Sequence, residues 1–205
     1  MSERKPENRI ESYPHWDVET WRPQLPSGPI ECIYTHWSAD DYATVFPSYH
    51  FCVALGPDGR VLVVNTHDVQ ANMRDVYEDP DRPYAAHTYR RNSFALGVSI
   101  MAMRDARPGH FGPYPLTEPL IDGLCIVTAR LARAYGVPLD ARHVMSHAEA
   151  ALIDGYFGNG DEERWDVARL REDARPLAPH DALDVGEELR TRMRRTAERD
   201  DDLVR

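Results

Sequence analysis

Residues 49 to 59 read YHFCVALGPDG, an apolar run that follows a tyrosine–histidine pair and ends in a Gly-Pro-Asp-Gly turn. The run predicts a β-strand from His50 to Leu55, and the residues after the turn predict a second strand from Arg60 to Val64. Because Pro-Asp-Gly is a strong turn signal, we expect the two strands to form an antiparallel hairpin.

Three further apolar segments predict the other strands of a sheet. Ile30 to His36 predicts a strand that places Cys32 and His36 on one face, because side chains alternate along a strand. The segment from Phe94 to Met101 is almost continuously apolar, which is typical of a central strand. His143 to Met145 predicts a short strand.

Helical patterns lie between and after these strands, which indicates an α/β fold. Asp40 to Phe46 predicts a short helix that begins near Ser38, a suitable N-cap residue. Glu187 to Arg205 predicts a charged, peripheral helix with a weak apolar face. The clearest helix is predicted by four apolar residues at helical spacing before a Gly–Pro stop: Leu120, Leu124, Val127 and Leu131.

The composition limits the classes of function. The chain has 205 residues, enough for one domain with its own core, and 42% of them are hydrophobic. The formal net charge of −10 disfavours binding to nucleic acid. No segment approaches the ~20 apolar residues of a membrane span, and the N-terminus lacks the apolar core of a signal peptide. We therefore expect a protein made in the cytoplasm, with no membrane insertion and no nucleic-acid partner.

Histidines at the edges of apolar segments are candidate metal ligands. His36 ends a predicted strand, and His147 stands in the segment Ser146-His147-Ala148-Glu149. Neutral imidazoles on rigid elements are what a zinc site requires. The cysteines have no ligand spacing and lie in apolar contexts, which indicates reduced core residues: Cys32, Cys52 and Cys125.

Six motifs in a fixed order carry a resemblance to a known family. They are YTHWSA at 34–39, SYHF at 48–51, AHTYRRNS at 86–93, LGVSI at 96–100, SHAE at 146–149 and RWDVARL at 164–170. Together they resemble the zinc-dependent N-acetylmuramoyl-L-alanine amidases related to peptidoglycan recognition proteins and phage lysozyme-type amidases. A single motif of this kind has low specificity, whereas six motifs in the same order are strong evidence for the resemblance. The resemblance covers residues 29 to 171.

The resemblance implies the fold and the organisation of the chain. It implies an α/β domain with a central mixed β-sheet flanked by helices and a groove over the sheet. We predict an irregular N-terminal arm at 1–28, an amidase catalytic domain at 29–175 and a charged C-terminal helical extension at 176–205. The arm is polar and broken by prolines, and Trp16 and Trp21 are expected to pin it to the body.

The resemblance also implies one zinc ion per chain, held by His36, His147 and Asp166. Two imidazoles and one carboxylate leave a fourth tetrahedral position for water, the arrangement of catalytic zinc sites. Asp161 is the alternative third ligand, and the basic-x-acid spacing of Arg164 and Asp166 favours Asp166. The implied reaction is hydrolysis of the amide between N-acetylmuramic acid and L-alanine.

Three catalytic roles follow from the same motifs. Tyr49 stands where some relatives carry a catalytic tyrosine, whose phenol can donate to the developing oxyanion. Arg164 replaces the lysine usual at its position and is effectively never a proton donor. Ser99 stands where some relatives place a glutamate base and cannot act as one unaided. The proton is therefore expected to pass through Tyr49 or Glu149.

The long polar loop at 66–92 ends in residues that border the groove in relatives. His87 and Asn92 are predicted substrate contacts, with stabilisation of the loop as the alternative role. His50 is expected to support the sheet or the residues behind the metal.

Three functions remain open from the sequence. The first is an enzyme that degrades peptidoglycan in the cell wall, of the endolysin type, which would need lysis or a delivery system to reach the wall. The second is a cytosolic amidase that acts on recycled muropeptides. The third is a module that binds muropeptides without cutting them.

Overall fold

A computed structural model of the chain describes residues 8–202. Within this range the core is a six-stranded sheet in the order β1-β4-β3-β5-β2-β6. The pairs β1–β4 and β3–β4 are antiparallel, whereas β3–β5, β2–β5 and β2–β6 are parallel, so the sheet is mixed. The strands are β1 His15–Asp17, β2 Cys32–Trp37, β3 Phe51–Leu55, β4 Val61–Asn65, β5 Ala95–Ile100 and β6 Val144–Ser146.

The predicted hairpin is formed by β3 and β4. Phe51 pairs with Asn65, and Leu55 pairs with Val61. Gly59 has a φ of +78°, which a glycine adopts without steric cost, and the amide of Gly56 donates to the carbonyl of Arg60 at 2.9 Å. The turn chemistry read from the sequence therefore sets the register of this pair.

Three helices accompany the sheet in the described residues: α1 Glu118–Tyr135, α2 His147–Asp154 and α3 Pro179–Asp202. Helix α1 packs against β2, β3, β4 and β5 and ends at Gly136, which is in the left-handed conformation as predicted. The side chains of Ile33, Val53 and Val98 belong to the main core beneath α1. The intervening residues of these strands therefore face the opposite side of the sheet.

Two helical expectations need correction. Asp40 to Phe46 is not a helix, because Ala39 has a φ of +55° and the carboxylate of Asp41 accepts the amides of Ala43 and Thr44 in a local turn. The C-terminal helix begins at Pro179, eight residues earlier than predicted, and it is not peripheral. Its residues Leu189, Arg190 and Met193 are buried against α1, α2 and β6.

The predicted N-terminal arm is also more ordered than expected. Residues 15–17 form β1 at the edge of the sheet, and residues 10–12 form a 3-10 turn. Trp21 is buried at 5% exposure, as expected of an anchor, whereas Trp16 is 43% exposed. The first seven residues of the predicted arm and the last three of the predicted extension lie outside the described residues.

The architecture is the predicted α/β arrangement of a central mixed sheet with helices, in a single domain. The predicted boundaries at residues 28 and 175 stay predictions. No helix in the described part of the chain combines the length and apolar character needed to cross a membrane.

Candidate metal centre

His36 lies near the end of β2, on the sheet face opposite α1. Its register partner in β5 is Ser99, whose other neighbour is Cys52 in β3, so the three side chains share this face. His36 is fully buried, and its Nδ1 atom lies 3.1 Å from Oδ2 of Asp166. A parallel strand thus fixes the imidazole at the floor of the site.

His147 is the first residue of α2 and reaches the same carboxylate. Strand β6 pairs with β2 through Thr35 and Ser146, which places the start of α2 beside His36. Nδ1 of His147 lies 2.9 Å and 3.1 Å from the two carboxylate oxygens of Asp166. The ring centroids of the two histidines are 4.8 Å apart. The two imidazoles therefore converge on one point.

Asp166 lies in a turn rather than in a helix or strand. Its carbonyl accepts the amide of Ala148 at 3.0 Å, which ties the turn to the first turn of α2. The next residue, Val167, has a φ of +63°, an uncommon and strained conformation for a β-branched residue. This strain at a buried position indicates that the surrounding packing holds the carboxylate in place.

The three side chains fit a divalent metal. One ligand atom from each of His36, His147 and Asp166 lies within 4.8 Å of the others, in the candidate group found among residues 8–202. Tetrahedral zinc with ~2.0–2.1 Å bonds to nitrogen separates its ligand atoms by about 3.3 Å, close to the observed nitrogen–oxygen distances. Two imidazoles and one carboxylate are also the donor set of a catalytic zinc site.

The protonation states of these groups suit metal binding. Burial lowers the pKa of His36 from 6.5 to about 4, so the ring is neutral at pH 7. Burial alone would raise the pKa of Asp166, but the neighbouring His147 and His36 outweigh burial and hold that pKa below its usual range. Neutral imidazoles and an ionised carboxylate are the forms that bind metals. Asp161 is exposed and is not in this group, so the structure favours Asp166 as the third ligand.

Thr88 is a site residue that the sequence analysis did not single out. Its hydroxyl lies 3.2 Å from Nε2 of His36 and 2.9 Å from Nδ1 of His87. A partner on the second ring nitrogen orients a metal-binding histidine. A threonine within a loop motif gives no sequence signal for this role, because the contact depends on how the loop folds over the sheet.

His87 and Asn92 both line a groove above the site, but they differ in what their side chains do. The side-chain oxygen of Asn92 accepts the amides of His87 and Thr88 at 3.1 and 2.9 Å, so Asn92 shapes the loop. His87 is buried against Gly97, where an added Cβ would lie 2.5 Å from its ring. Burial, with the nearby His36 and His50, lowers the pKa of His87 well below 6.5.

His50 stands behind His87 as a structural residue. Its Nδ1 accepts the amide of Gly97 at 3.0 Å, so its Nε2 carries the hydrogen and donates to Asn72 at 3.1 Å. Asn72 in turn bonds the backbone of Ala85 and Asn92. The expectation that His50 supports the residues behind the metal agrees with this network.

Of the predicted catalytic residues, Tyr49 and Arg164 lie near the site. The ring centroid of Tyr49 is 5.1 Å from that of His36, its hydroxyl is 3.5 Å from the carbonyl of Trp37, and burial raises its pKa. Arg164 is exposed and lines the groove.

Glu149 is placed elsewhere, which corrects the predicted proton-transfer role. Its carboxylate accepts the amide of Ser146 at 2.9 Å in a capping box at the start of α2. Both of its oxygens also lie 3.0 Å from the guanidinium of Arg190 in α3, and the pair is buried. Glu149 does not line the groove. Its role is to hold the helix that presents His147.

The groove has a volume of about 1320 Å³ and includes His147 on its floor. Tyr156 lines it with a hydroxyl that is buried and has no hydrogen-bond partner among the described residues. The Tyr156 ring lies 6.0 Å from that of His147, and burial raises its pKa to about 12. Sequence reasoning missed Tyr156, which lies in a glycine-rich loop without a distinctive pattern.

Comparison with solved structures gives distant matches. The N-acetylmuramyl-L-alanine amidase AmiD from E. coli, solved with the substrate anhydro-N-acetylmuramic acid-L-Ala-D-gamma-Glu-L-Lys, matches 63% of this chain and 52% of its own. The sequence identity is 15% and the TM-score is 0.38, and the match spans about half the length of that structure. No family model and no curated protein matches the sequence. The chemistry of the site therefore rests on this chain's own residues.

Proposed function

We propose that this protein is a zinc-dependent amidase that cleaves the bond between N-acetylmuramic acid and L-alanine in peptidoglycan or its fragments. One observation carries the proposal: two buried imidazoles and a carboxylate, from His36, His147 and Asp166, converge within 4.8 Å, and His147 also lines a groove of about 1320 Å³. The order of motifs around these residues resembles the same class of amidase and supplies the substrate class.

The three ligands would hold one zinc ion, which when bound supplies a Lewis acid and an activated water. The three residues themselves contribute a rigid arrangement of the ligand atoms. His36 is fixed by β2 and Thr88, His147 by the capped start of α2, and Asp166 by the amide of Ala148. Burial of all three excludes competing solvent, which strengthens the electrostatic interactions within the site.

Hydroxyl and guanidinium groups around the ligands would stabilise charge that develops on the scissile carbonyl oxygen. Tyr156, which lines the groove, would supply one such donor, because its hydroxyl has no hydrogen-bond partner among the described residues. The ring of Tyr49 lies 5.1 Å from that of His36, and Arg164, which lines the groove, supplies positive charge there. Ser99 lies opposite His36 and offers no base.

The groove walls suit a ligand with sugar and peptide parts. Tyr77 and Tyr89 line it and are 46% and 60% exposed, so their rings offer flat apolar surfaces. Arg90 and Arg164 lie along it together with the acidic run from Asp161 to Glu163. Polar groups beside aromatic surfaces are typical of a pocket that orients a ligand by a few specific contacts.

The proposal is tested by mass spectrometry of purified sacculi and soluble anhydromuropeptides after incubation with the zinc-loaded protein. We expect release of stem peptides with a free L-alanine amino terminus. Replacing His36 or His147 with alanine should abolish both zinc retention and release, whereas His110→Ala, at an exposed histidine, should change neither. Release by either ligand variant at the wild-type rate would contradict the assignment.

The same digest separates the two cellular roles. A wall-degrading enzyme of the endolysin type would cleave intact sacculi, and it would act outside the cytoplasm after lysis or delivery. A recycling amidase would act in the cytoplasm and cleave the soluble fragments only. Activity confined to soluble fragments would exclude the wall-degrading version.

A muropeptide-binding module without activity is the remaining alternative. The complete ligand set argues against it, because such modules arise when a ligand is lost. Binding of anhydromuropeptide without turnover in the zinc-loaded protein would establish this alternative and exclude the amidase.

A further inference from the structure

An ion pair joins two segments that line the groove. The first segment is the loop at 86–92, in which Tyr89 and Arg90 line the groove and Arg91 follows them directly. The second begins at the end of α2, where Asp154 is the last helical residue and Tyr156 lines the groove two residues later. The side chains of Arg91 and Asp154 pair with each other outside the groove lining, so they can act on a ligand only through these neighbours.

The pair between Arg91 and Asp154 has the geometry of a strong, directional contact. Nε and Nη2 of Arg91 lie 2.6 and 2.7 Å from the two carboxylate oxygens of Asp154, a bidentate arrangement that fixes both distance and angle. The two side chains are only 23% and 29% exposed. Nη1 of Arg91 lies 3.4 Å from the hydroxyl of Tyr34 in β2, so the guanidinium is also anchored to the sheet.

Both ends of the contact would be unfavourable without it. Asp154 ends α2, where the negative end of the helix dipole disfavours a carboxylate, and the guanidinium of Arg91 offsets that charge. On the loop side, Arg90 has a φ of +56°, in a turn that the amide of Arg91 closes onto the carbonyl of Thr88 at 3.1 Å. Such a conformation persists where the surrounding structure holds it. The pair therefore sets the position of the loop relative to α2.

The two segments meet again at a pair of tyrosine rings. The ring centroids of Tyr89 and Tyr156 are 5.8 Å apart and their planes are inclined at 84°, which is an edge-to-face contact. The hydroxyl of Tyr156 has no hydrogen-bond partner among the described residues, so its ring is oriented by packing. Its neighbours in that packing include the rings of Tyr89 and His147. A shift of the loop would therefore release one side of the Tyr156 ring.

We propose that Arg91 and Asp154 are positioning residues that hold the ring of Tyr156 in place for the substrate, through the ring of Tyr89. The ion pair fixes the loop against the end of α2, and the Tyr89 ring then limits the rotation of the Tyr156 ring. The inference rests on the proposed function, in which the hydroxyl of Tyr156 donates to the scissile carbonyl oxygen.

Turnover of a soluble anhydromuropeptide by the zinc-loaded protein provides the first test. Arg91→Gln should lower kcat by about 10- to 100-fold, because a small misplacement of a catalytic group can cost about 10²-fold. KM should change less than kcat, since the lost interaction belongs to the transition state. Arg91→Lys keeps the charge without the bidentate geometry and should lie between the two. Arg60→Gln removes an exposed pair with Asp58 in the hairpin turn and should leave kcat unchanged.

A double-mutant cycle with Tyr156→Phe distinguishes positioning from a general loss of structure. If Arg91 acts through the Tyr156 hydroxyl, adding Arg91→Gln to Tyr156→Phe should lower kcat little further. A merely structural role would lower kcat by the same factor in both backgrounds. Zinc affinity of Arg91→Gln, measured by competition with a chelator, should stay within a few-fold of the wild type, because the pair lies at the end of α2 opposite His147.

Nuclear magnetic resonance of ¹³C-labelled tyrosines provides a readout that needs no activity. The ring of Tyr89 shifts the ring signals of Tyr156, and Tyr156→Phe identifies those signals by their loss. In Arg91→Gln they should move towards their positions in Tyr89→Leu, where the ring contact is absent. In Arg60→Gln they should stay at their wild-type positions.

The outcomes separate this inference from the proposed function. Wild-type protein that binds zinc but cleaves no muropeptide would overturn the proposed function, and with it the catalytic purpose of the pair. Protein that cleaves muropeptides, with Arg91→Gln as active as the wild type or with equal losses in both backgrounds, would overturn the positioning role alone. Tyr156 signals that do not move in Arg91→Gln would also overturn that role.

Discussion

At the scale of single residues, some polar atoms of the site have no hydrogen-bond partner among the described residues. Nε2 of His147 and the hydroxyl of Tyr156 are buried atoms of this kind. A buried polar group without a partner costs about 1–3 kcal/mol. A ligand bound beside these atoms would supply the missing partners.

Tyr156→Phe separates catalysis from stability. Removing a hydroxyl without a partner should leave the free energy of unfolding unchanged or raise it slightly. Turnover should fall by about 10²-fold or more if the hydroxyl stabilises the oxyanion. Tyr42→Phe is the matched control, since that hydroxyl donates to the carbonyl of Pro115 outside the groove. Equal turnover of Tyr156→Phe and the wild type would reduce Tyr156 to a packing residue.

Asp166→Asn and Asp161→Asn distinguish the two candidate third ligands. Asn has nearly the shape of Asp but no charge, and a neutral amide is a poor zinc ligand. Loss of a hydrogen-bond partner of a metal ligand typically weakens metal binding by about 10- to 100-fold. Loss of a ligand itself should cost more, so we expect Asp166→Asn to weaken zinc binding by at least about 10²-fold. Asp161→Asn, at an exposed position, should bind zinc as the wild type does. A chelator competition assay measures both, and the reverse ranking would contradict the site.

At the scale of secondary-structure elements, α3 stabilises two of the three segments that carry ligands. Arg190 of α3 pairs with Glu149, two residues after His147, and Asp181 of α3 pairs at 2.8 Å with Arg169, three residues after Asp166. Gly186 permits this approach, since an added Cβ would lie 2.1 Å from the Glu149 carboxylate. The C-terminal helix is thus part of the scaffold of the metal centre.

Arg190→Met tests this role of α3. The variant leaves the carboxylate of Glu149 buried without its charge partner, which should lower the free energy of unfolding by about 3–5 kcal/mol. Arg171→Met removes an exposed pair with Glu118 and should cost less than about 1 kcal/mol. Urea denaturation measures both. A loss below 1 kcal/mol in Arg190→Met would show that the buried pair does not hold the helix.

The buried side chain of His50, which lies where β3 meets β5, should make the stability of the fold sensitive to acid. Burial lowers the pKa of His50 to about 3, against an ordinary value of 6.5. Between these values the unfolded chain binds a proton that the folded chain does not, so stability is complete above pH 6.5 and falls as the pH is lowered towards 3. Each such histidine contributes a slope of about 1.4 kcal/mol per pH unit.

His50→Asn tests this dependence. Asparagine retains a side-chain acceptor but does not titrate in this range. We expect a shallower fall of unfolding free energy between pH 6.5 and 4.5, by about 1.4 kcal/mol per unit, in urea denaturation with a chelator present. An unchanged slope would mean that His50 is protonated in the folded state as readily as in the unfolded chain.

At the scale of the whole molecule, the sheet brings together ligands that are far apart in the sequence. The hairpin, β2, β5 and α1 could be predicted because their apolar spacing and turn residues are local signals. The ligands His36, His147 and Asp166 could be proposed from the order of motifs. Their convergence needed the structure, because it depends on the parallel pairing of β6 with β2.

The features that could not be predicted from the sequence depend on contacts between distant segments. β1 is a three-residue strand that exists because it pairs with β4. Glu149 resembles a groove acid in sequence, but its partner Arg190 lies 41 residues later in α3. Thr88 and Tyr156 are recognisable only by the atoms around their hydroxyls. Such roles carry no periodicity that a sequence could display.

The most direct test of the account is X-ray absorption at the zinc edge, on protein stripped with a chelator and reloaded with one equivalent of Zn²⁺. We predict nitrogen and oxygen ligands at about 2.0–2.2 Å, two of them imidazoles, and loss of this spectrum in the double variant His36→Ala with His147→Ala. Sulfur ligands at about 2.3 Å, or an unchanged spectrum in the double variant, would contradict it.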